Sequence, residues 1–424
     1  MKIQATFRFK PFSPRQKKIL TWWLPDSPVH DMDGIIADGA IRSGKTVSMS
    51  LSYVMWAMES FNAQNFGMAG KTIGSFRRNV LFWLKLMLRS RGYGVEDHRS
   101  DNLMVVRRNG IENFFYIFGG KDERSQDLIQ GITLAGMFFD EVALMPQSFV
   151  NQATGRCSVE GSKFWFNCNP EGPNHWFRQE WILQYKKKRL LYLHFTMDDN
   201  WSLSEKIKAR YRAMYTGVFF KRFIQGLWAV ASGLIFDMYR DDSPEHVKED
   251  AGPFDWYFAA CDYGTQNPCT FALYGVRGSG EKRRAHICKE YFYDGRKEQK
   301  QKTDLEYSVD FKAFIGDTRI RCVVVDPSAA SFIAQMKSDG WYVIAADNEV
   351  FEGICRMSSV IGVGRFTVDP GCTHTRRERQ SYVWDEKAVQ RGEDKPVKVD
   401  DHTCDRDRYA CMYAFKKPSI SVLK

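Results

Sequence analysis

Residues 39–46 read Gly39-Ala40-Ile41-Arg42-Ser43-Gly44-Lys45-Thr46. This is the pattern GxxxxGK[ST], whose glycines let backbone N–H groups close around phosphate oxygens at the positive end of the following helix. We expect Lys45 to reach the β- and γ-phosphates of ATP, and the Thr46 hydroxyl to ligate Mg²⁺. Apolar residues 34–37 predict a strand before the motif, and residues 47–58 predict a helix after it. With both neighbours present, the motif indicates an α/β nucleotide-binding domain rather than a chance glycine turn.

An acidic pair follows a second apolar stretch. Residues 137–139 predict a buried strand, and Asp140 and Glu141 stand at its carboxyl end. Asp140 is predicted to hold Mg²⁺ through water, and Glu141 to orient and deprotonate the attacking water. Such a pair is common by itself, so this prediction depends on the upstream motif. The adjacent glutamate favours hydrolysis over phosphoryl transfer to a small acceptor.

A third stretch with the same design covers residues 163–170, in which an apolar strand ends in Asn-Cys-Asn-Pro. From the neighbouring strand, Asn169 is placed to sense the γ-phosphate. An Asn-Pro turn that merely closes the strand explains the residues equally well.

The second half of the chain also has carboxylates at strand ends. Residues 256–261 and 321–325 predict buried strands, which end at Asp262 and Asp326. Each aspartate is a metal ligand or a turn former, and for either residue alone the turn is favoured.

An acidic helix start changes that balance. Residues 409–413 predict a helix, and Asp401, His402 and Asp405 precede it at spacings that share one helical face, whereas Asp407 points elsewhere. Clustered acids repel one another unless a cation joins them. Together with the two strand-end aspartates they predict a two-ion site for Mg²⁺ or Mn²⁺. A solvated helix start, favoured by the helix dipole, is the alternative for Asp401.

Residues 277–302 form a basic stretch with three aromatic residues inside it. It either contacts a DNA backbone or forms a solvated hairpin, and the sequence does not separate these alternatives.

Length and composition set the domain organisation. A chain of 424 residues exceeds one ordinary core. Breaks in the periodic pattern predict two α/β domains, residues 1–236 and 254–424, joined by a short polar linker over residues 237–253. The net charge of +10 suits a polyanionic partner. No apolar run approaches the ~18 residues that cross a bilayer, and ten scattered cysteines without a signal peptide predict a reducing cytoplasm.

The order of these parts resembles the large terminase subunit of tailed bacteriophages. Three stretches carry the resemblance, namely residues 166–176, 217–228 and 401–410. The resemblance implies that residues 1–236 are an additional-strand P-loop ATPase domain with a helical linker subdomain at its end. It also implies that residues 254–424 are a ribonuclease H-like α/β nuclease domain.

The resemblance also implies roles around the nucleotide. Arg42 takes the position of the arginine inside the phosphate loop, and Asn169 that of the sensor and coupling residue. Gln16 falls in a short match to an adenine-binding segment. Arg124 and Arg156 are both candidates for the arginine that acts in trans, and the sequence does not choose between them.

For the nuclease, the resemblance implies that Asp262, Asp326 and Asp405 are the catalytic metal ligands and that His402 belongs to the site. One departure is visible. The residues after the last metal aspartate are usually small or apolar, whereas this chain has Arg406 and Asp407. They predict a more exposed helix, with Asp407 as a competing ligand, although helical spacing favours Asp405.

The implied function is ATP-driven translocation of double-stranded DNA into procapsids, coupled to metal-dependent cutting of concatemeric DNA. The implied partners are double-stranded DNA, the terminase small subunit, the portal protein and further copies of this chain in a ring, a pentamer on the family's pattern. We expect action in the cytoplasm of the infected bacterium, without membrane contact and outside the mature virion.

Two other functions are compatible with the motifs. One is a DNA-repair helicase–nuclease fusion, which would need a second RecA-like motor. The other is a nucleotide-switched DNA-binding scaffold, against which the intact set Lys45, Asp140 and Glu141 argues.

Overall fold

A computed structural model of the protein describes residues 10–264 and 267–415. The chain divides into two compact units. The first unit comprises Met1–Arg212 and Phe220–Val230, and the second comprises Ala213–Phe219 and Ala231–Lys424. The predicted linker, residues 237–253, belongs to the second unit.

The first unit is built on an eight-stranded sheet. Its strands are β1 (Gly34–Gly39), β2 (Asn65–Gly70), β3 (Gly94–His98), β4 (Leu103–Arg108), β5 (Ile111–Gly119), β6 (Gly136–Asp140), β7 (Lys163–Asn167) and β8 (Leu190–Phe195). They lie in the order β3-β4-β5-β2-β6-β7-β1-β8. In this order, the six consecutive strands β5-β2-β6-β7-β1-β8 are parallel to one another. Strands β3 and β4 form an antiparallel edge next to β5.

Strand β7 lies between β1, which leads into the phosphate loop, and β6, which ends at Asp140. This inserted strand is the additional strand that the family resemblance implies. Asp140 is paired with Asn167, and Ala37 is also paired with Asn167 from the other side. Because parallel strands end at one edge of a sheet, the register collects the polar strand-end residues there.

The helices up to residue 214 are α1 (Pro14–Thr21), α2 (Lys45–Ser60), α3 (Ile73–Phe76), α4 (Phe82–Arg89), α5 (Gln147–Gly155) and α6 (Glu205–Met214). Shorter 3₁₀ or π-helical turns are Arg77–Leu81, Glu123–Ile129, Val142–Leu144, Arg178–Ile182, Met197–Asp199 and Phe220–Ile224. Helix α2 carries the core contacts: the rings of Trp56 and Trp165 lie 4.8 Å apart, and the buried Tyr53 hydroxyl donates to Gly67 O at 2.9 Å. Packing of α2 on the sheet fixes the loop that precedes it.

The second unit contains a six-stranded mixed sheet. Its strands are β9 (Trp256–Asp262), β10 (Cys269–Arg277), β11 (Arg284–Tyr293), β12 (Ile320–Val325), β13 (Val343–Ala345) and β14 (Phe366–Val368). They lie in the order β13-β12-β9-β10-β11-β14, where β9, β10 and β11 are antiparallel and β12 is parallel to β9.

The remaining helices are α7 (Gly217–Phe219), α8 (Asp304–Ile315), α9 (Ala330–Ser338), α10 (Val350–Gly362), α11 (Thr373–Ser381), α12 (Glu386–Gln390) and α13 (His402–Ala414), with a 3₁₀ turn at Gly280–Lys282. Apolar residues of α8 and α9 share a core with β9, β10 and β12. Alternate residues of the sheet, including Phe258 and Tyr274, contact α13 instead. Helix α13 is buried except at His402 and Tyr413, since it packs on the sheet and against α10 and α11.

Within residues 10–264 and 267–415, no helix is long and apolar enough to cross a membrane. The predicted strands before the phosphate loop, Asp140, Asp262 and Asp326 are all present, and so is the predicted helix after the loop. The predicted α/β fold class is confirmed: the first unit holds a phosphate-loop sheet of the additional-strand type, and the second unit is α/β with a mixed sheet.

Candidate functional site

The phosphate loop in the first unit is shaped by its glycines. Gly39 has φ +125°, and a Cβ atom there would collide with the Phe195 carbonyl of the neighbouring strand. Gly44 has φ +86°, and Arg42 has φ +58°. Left-handed backbone is uncommon for a residue with a side chain and is frequent at ligand-binding loops. Asn200 Nδ2 donates to Arg42 O at 2.7 Å and holds this conformation.

Lys45 lies buried across the loop. Its ammonium donates to Ala40 O at 2.7 Å and to Asn169 Oδ1 at 3.2 Å. Burial lowers the pKa of Lys45 to about 8, although the nearby acidic groups raise it. A buried ammonium whose partners are mostly neutral oxygens is well placed to turn toward phosphate oxygens, which carry charge.

Two predicted Mg²⁺ ligands meet beside the loop. The Thr46 hydroxyl donates to Asp140 Oδ1 at 3.0 Å, and Asn167 Nδ2 donates to Thr46 Oγ1 at 2.9 Å and also to Asp140. Burial, together with the charge of Glu141, raises the pKa of Asp140 to about 7. An oxygen-only pair of this kind fits Mg²⁺.

Asn167 is a site residue that the sequence did not single out. The sequence analysis considered Asn169, two residues further on, and both amides lie against the loop. The signal was available in the alternation of the strand, because residues two apart lie on one face.

Glu141 follows β6 directly and adopts φ +60°. Because of this turn, the side chains of Glu141 and Asp140 point in different directions. Backbone strain at a predicted catalytic residue agrees with the tendency of functional sites to hold such conformations.

Gln16 lies against the phosphate loop. Its side-chain Oε1 accepts from Ser13 N at 3.0 Å and so caps α1. A Cβ atom at Gly44 would collide with the Gln16 amide nitrogen. The amide nitrogen is thus the end of the side chain that faces the loop.

The two candidates for a trans-acting arginine lie elsewhere in the first unit. Arg124 is exposed in the turn Glu123–Ile129, and Arg156 ends α5 as its C-cap.

In the second unit, register brings two predicted metal ligands side by side. Val325 of β12 pairs with Cys261 of the parallel strand β9. Asp262 and Asp326, the next residues, therefore leave adjacent strands at the same edge, and adjacent strands are ~4.8 Å apart.

Helix α13 faces this edge with its first two turns. His402 Nδ1 lies 3.1 Å from Asp262 Oδ2, and the Tyr409 hydroxyl donates to Asp326 Oδ2 at 3.0 Å. Burial raises the pKa of Asp262, and the charge of Asp405 adds to the effect. Burial lowers the pKa of His402, but its contact with Asp262 outweighs burial and the pKa is raised. Helix α13 thus contacts Asp262 through the predicted residue His402, and Asp326 through Tyr409, which the sequence did not single out.

Asp405 is held by two cations. Arg408 Nη2 lies 3.1 Å from its Oδ1, and Lys398 Nζ lies 2.7 Å from its Oδ2. Lys398 also lies 3.0 Å from Asp401 Oδ2. Asp401 is only 5% exposed, so the solvated helix start considered for it is wrong.

The prediction of an exposed helix at Arg406 and Asp407 is also wrong. Both side chains are fully buried, and the Asp407 carboxylate accepts from Tyr274 at 2.7 Å and from Arg379 at 2.9 Å, with Arg406 Nη2 at 2.8 Å. Asp407 therefore cannot compete as a metal ligand, because its oxygens are used in the core. Buried charges are tolerated only when they are paired in this way.

The acidic side chains have the donor atoms of a metal site, but they are not grouped around one point. Carboxylates and one imidazole are the donors that Mg²⁺ and Mn²⁺ accept. Each has a protein partner, however, and across residues 10–264 and 267–415 no three Asp, Glu, His or Cys side chains are grouped closely enough to share one ion. Asp401 Oδ2 is buried, and the cation beside it is the Lys398 ammonium at 3.0 Å.

The basic stretch forms the β10–β11 hairpin and the segment after it. Several of its cations are paired: Arg277 with Asp250 at 2.6 Å, Lys302 with Asp310 and Lys300 with Glu306. Both alternatives, DNA contact and a solvated hairpin, stay open.

The chain is similar to known terminase large subunits. A family model described as terminase large subunit, T4likevirus-type, N-terminal, matches residues 36–239. The large terminase of a thermophilic bacteriophage is 58% identical, with a TM-score of 0.92 over 95% of this chain and 99% of that one. The structure of that terminase in complex with ADP is 57% identical, with a TM-score of 0.91 over 96% of this chain and 100% of that one.

The large terminase subunit of Escherichia phage T5 is 22% identical over 293 residues, which are 64% of this chain and 64% of the T5 protein. The match thus spans somewhat less than two thirds of that relative. The identity to the thermophilic-phage terminase extends over nearly all of both chains, so the resemblance predicted from the sequence is confirmed, and the chain belongs to the phage large terminase family.

Proposed function

We propose that this chain is the motor and the nuclease of a DNA-packaging machine. ATP hydrolysis in an ATPase domain, residues 1–236, drives double-stranded DNA into procapsids. A nuclease domain, residues 254–424, cuts concatemeric DNA with Mg²⁺ or Mn²⁺, and residues 237–253 join the two.

The ATPase proposal is carried by one observation: a single buried cluster joins Lys45 to Asn169 and Thr46 to Asp140. These residues come from three separate strand ends, and Glu141 follows the last of them. A turn formed by chance would not bring a lysine, a hydroxyl and a carboxylate together at one edge of a parallel sheet. The ADP complex of the thermophilic-phage relative supports nucleotide binding by this chain. Arg42 on the loop and Gln16 beside it would complete the contacts to phosphate and base.

The nuclease proposal rests on the strand-end pair Asp262 and Asp326 beside α13, with Asp405 and His402 on that helix. Two ions held by these groups, with Asp401 at the margin, would activate water and stabilise the leaving oxygen of a phosphodiester. The chain's own residues would orient the carboxylates and exclude solvent on the buried side.

Membership of the terminase family supports a proposal for assembly. We propose a homo-oligomeric ring, a pentamer, that engages the portal protein and the terminase small subunit in the cytoplasm of the infected bacterium. Arg124 or Arg156 would act on the ATP of a neighbouring copy.

The two other functions are less favoured. Residues 10–264 and 267–415 form one phosphate-loop sheet and one sheet of a different topology, whereas a monomeric helicase needs two RecA-like motors. A nucleotide-switched scaffold would not need Glu141 after Asp140.

Glu141→Gln tests the motor. The amide keeps the size of the side chain but cannot accept a proton, so ATP binding should persist while hydrolysis falls about 10²-fold or more. DNA protected from added nuclease inside procapsids should disappear in parallel. Normal packaging by this variant would overturn the proposal.

A crystal soaked with Mn²⁺ tests the nuclease centre. Two ordered ions among Asp262, Asp326 and Asp405 are expected. Ions bound only elsewhere would refute the two-metal assignment.

A further inference from the structure

We propose that Lys398 sets the metal requirement of the nuclease site: its ammonium stands where a divalent ion would bridge Asp401 and Asp405, and it must withdraw before that ion binds. The inference rests on the proposed nuclease function and adds to it a residue that no motif marks.

The position of the ammonium is the first argument. Lys398 Nζ lies 2.7 Å from Asp405 Oδ2 and 3.0 Å from Asp401 Oδ2. Both carboxylates are buried at the start of α13, so each needs a cation nearby. One ammonium with single positive charge serves both. A divalent ion at the same point would bring twice the charge and shorter contacts to oxygen.

The second argument is that the two oxygens of Asp405 have different partners. Arg408 on α13 occupies Asp405 Oδ1 at 3.1 Å and donates in addition to Asn348 O at 2.9 Å. The Arg408 side chain is 3% exposed and is therefore a fixed partner. Lys398 holds the other oxygen, Oδ2. Asp405 can thus exchange its Oδ2 partner without losing the contact that orients it.

The third argument is that the Lys398 side chain is exposed, whereas the two carboxylates that it contacts are buried. The Lys398 side chain is 58% exposed, against 7% and 12% for the carboxylates it contacts. Its backbone is anchored nearby, because Val397 N donates to Val383 O at 3.0 Å. Rotation of the flexible lysine stem into solvent would free the position without unfolding the segment, and the strongly hydrated ammonium would gain water.

The consequence is a nuclease that is inactive until its metal outcompetes an internal cation. The apo site is stabilised by Lys398 and the loaded site by metal.

Direct Mn²⁺ binding to the full-length protein without DNA or nucleotide tests the proposal. Lys398→Met removes the charge and keeps the stem, and it should tighten the weakest nuclease-site Mn²⁺ affinity roughly tenfold, equivalent to ~1.4 kcal/mol. Lys398→Arg keeps a cation and should not tighten it. Lys395→Ala, three residues earlier and paired with Glu393, is the matched control that should bind as wild type does. Unchanged or weaker Mn²⁺ binding by a folded Lys398→Met protein would overturn the proposal.

A second measurement needs no variant. Acetylation of the Lys398 amine, read by mass spectrometry with Lys395 as the internal reference, should rise as Mn²⁺ is added. Mn²⁺ that leaves Lys398 acetylation constant, or lowers it, contradicts displacement. A wrong assignment of the nuclease site would give a different result. DNA cutting would then survive Asp326→Ala, whether or not Mn²⁺ changes the acetylation of Lys398.

Discussion

Asn169 Oδ1 accepts a hydrogen bond from Lys45 Nζ at 3.2 Å, so the segment directly after strand β7 contacts the lysine of the phosphate loop. Phosphate binding would draw the ammonium away and change what the Asn169 amide contacts. The sequence left Asn169 open between a sensor and a turn residue, and this contact favours the sensor.

Asn169→Ala should reduce the kcat of ATP hydrolysis about tenfold or more while the Kd for ATP changes little. The reason is that Lys45 keeps its other partners on the loop and can still bind phosphate. Steady-state ATPase assays and fluorescent nucleotide titration measure the two quantities. Asn151→Ala, on the exposed side of α5, is the control. Equal losses in affinity and kcat would assign Asn169 to ground-state binding instead.

Asn167→Ala should selectively weaken the binding of Mg²⁺–ATP. The Asn167 amide holds both Thr46 and Asp140, the predicted magnesium ligands. Its removal leaves ATP without metal nearly unaffected. Calorimetric titration with and without Mg²⁺ provides the comparison, and equal weakening in both conditions would argue against a role at the metal.

Mg²⁺–ATP affinity should be greatest between about pH 7 and pH 8. In the free protein the pKa of Asp140 is raised to about 7 by burial, and bound Mg²⁺ would lower it. Binding therefore releases protons near pH 7 and weakens as the pH falls below it. The pKa of Lys45 is lowered to about 8, and bound phosphates would raise it, so binding also weakens above pH 8. In Asp140→Asn the acid limb of this profile should vanish while the alkaline limb persists.

Asp407→Ala should destabilise the second unit by about 3–5 kcal/mol, because it leaves the buried Arg379 and Arg406 without their shared carboxylate. Asp241→Asn is the matched control: Asp241 pairs with Arg376 of the same helix α11, but the pair is partly exposed and contributes at most about 1 kcal/mol. Thermal unfolding followed by calorimetry would show the difference. Similar losses in both variants would mean that burial of the network is unimportant.

Tyr409→Phe should raise the Mn²⁺ concentration needed for DNA cutting without changing the ATPase rate. The Tyr409 hydroxyl orients Asp326 Oδ2 at 3.0 Å. A carboxylate that loses this contact samples more orientations and binds a metal less well. Tyr413→Phe, one turn further along α13, gives the control. A loss of cutting that Mn²⁺ does not rescue would point to a role beyond positioning.

Much of the fold followed from local sequence. The strands that end at Asp140, Asp262 and Asp326 were predictable because apolar runs closed by a polar residue are typical of buried parallel strands. The phosphate loop was predictable because its backbone needs glycine at fixed positions. The order of the strands was implied only by family resemblance, since register is a property of pairing partners far apart in the chain.

The charged residues of α13 show what local pattern could not supply. Arg406 and Asp407 looked like an exposed pair because charged residues are rarely buried. Their burial depends on Arg379 and Tyr274, which lie 28 and 133 positions from Asp407. Lys398 was missed for the same reason: in sequence it is one lysine among many, and only the fold places it between Asp401 and Asp405.

The central claim is that one chain holds two independent catalytic sites, and the most direct test measures ATP hydrolysis and Mn²⁺-dependent cutting of plasmid DNA in the same preparations of Lys45→Ala and Asp326→Ala. The account predicts that Lys45→Ala loses hydrolysis and still cuts, whereas Asp326→Ala loses cutting and still hydrolyses ATP. Undiminished ATPase in Lys45→Ala, or persistent cutting by pure Asp326→Ala, would contradict it.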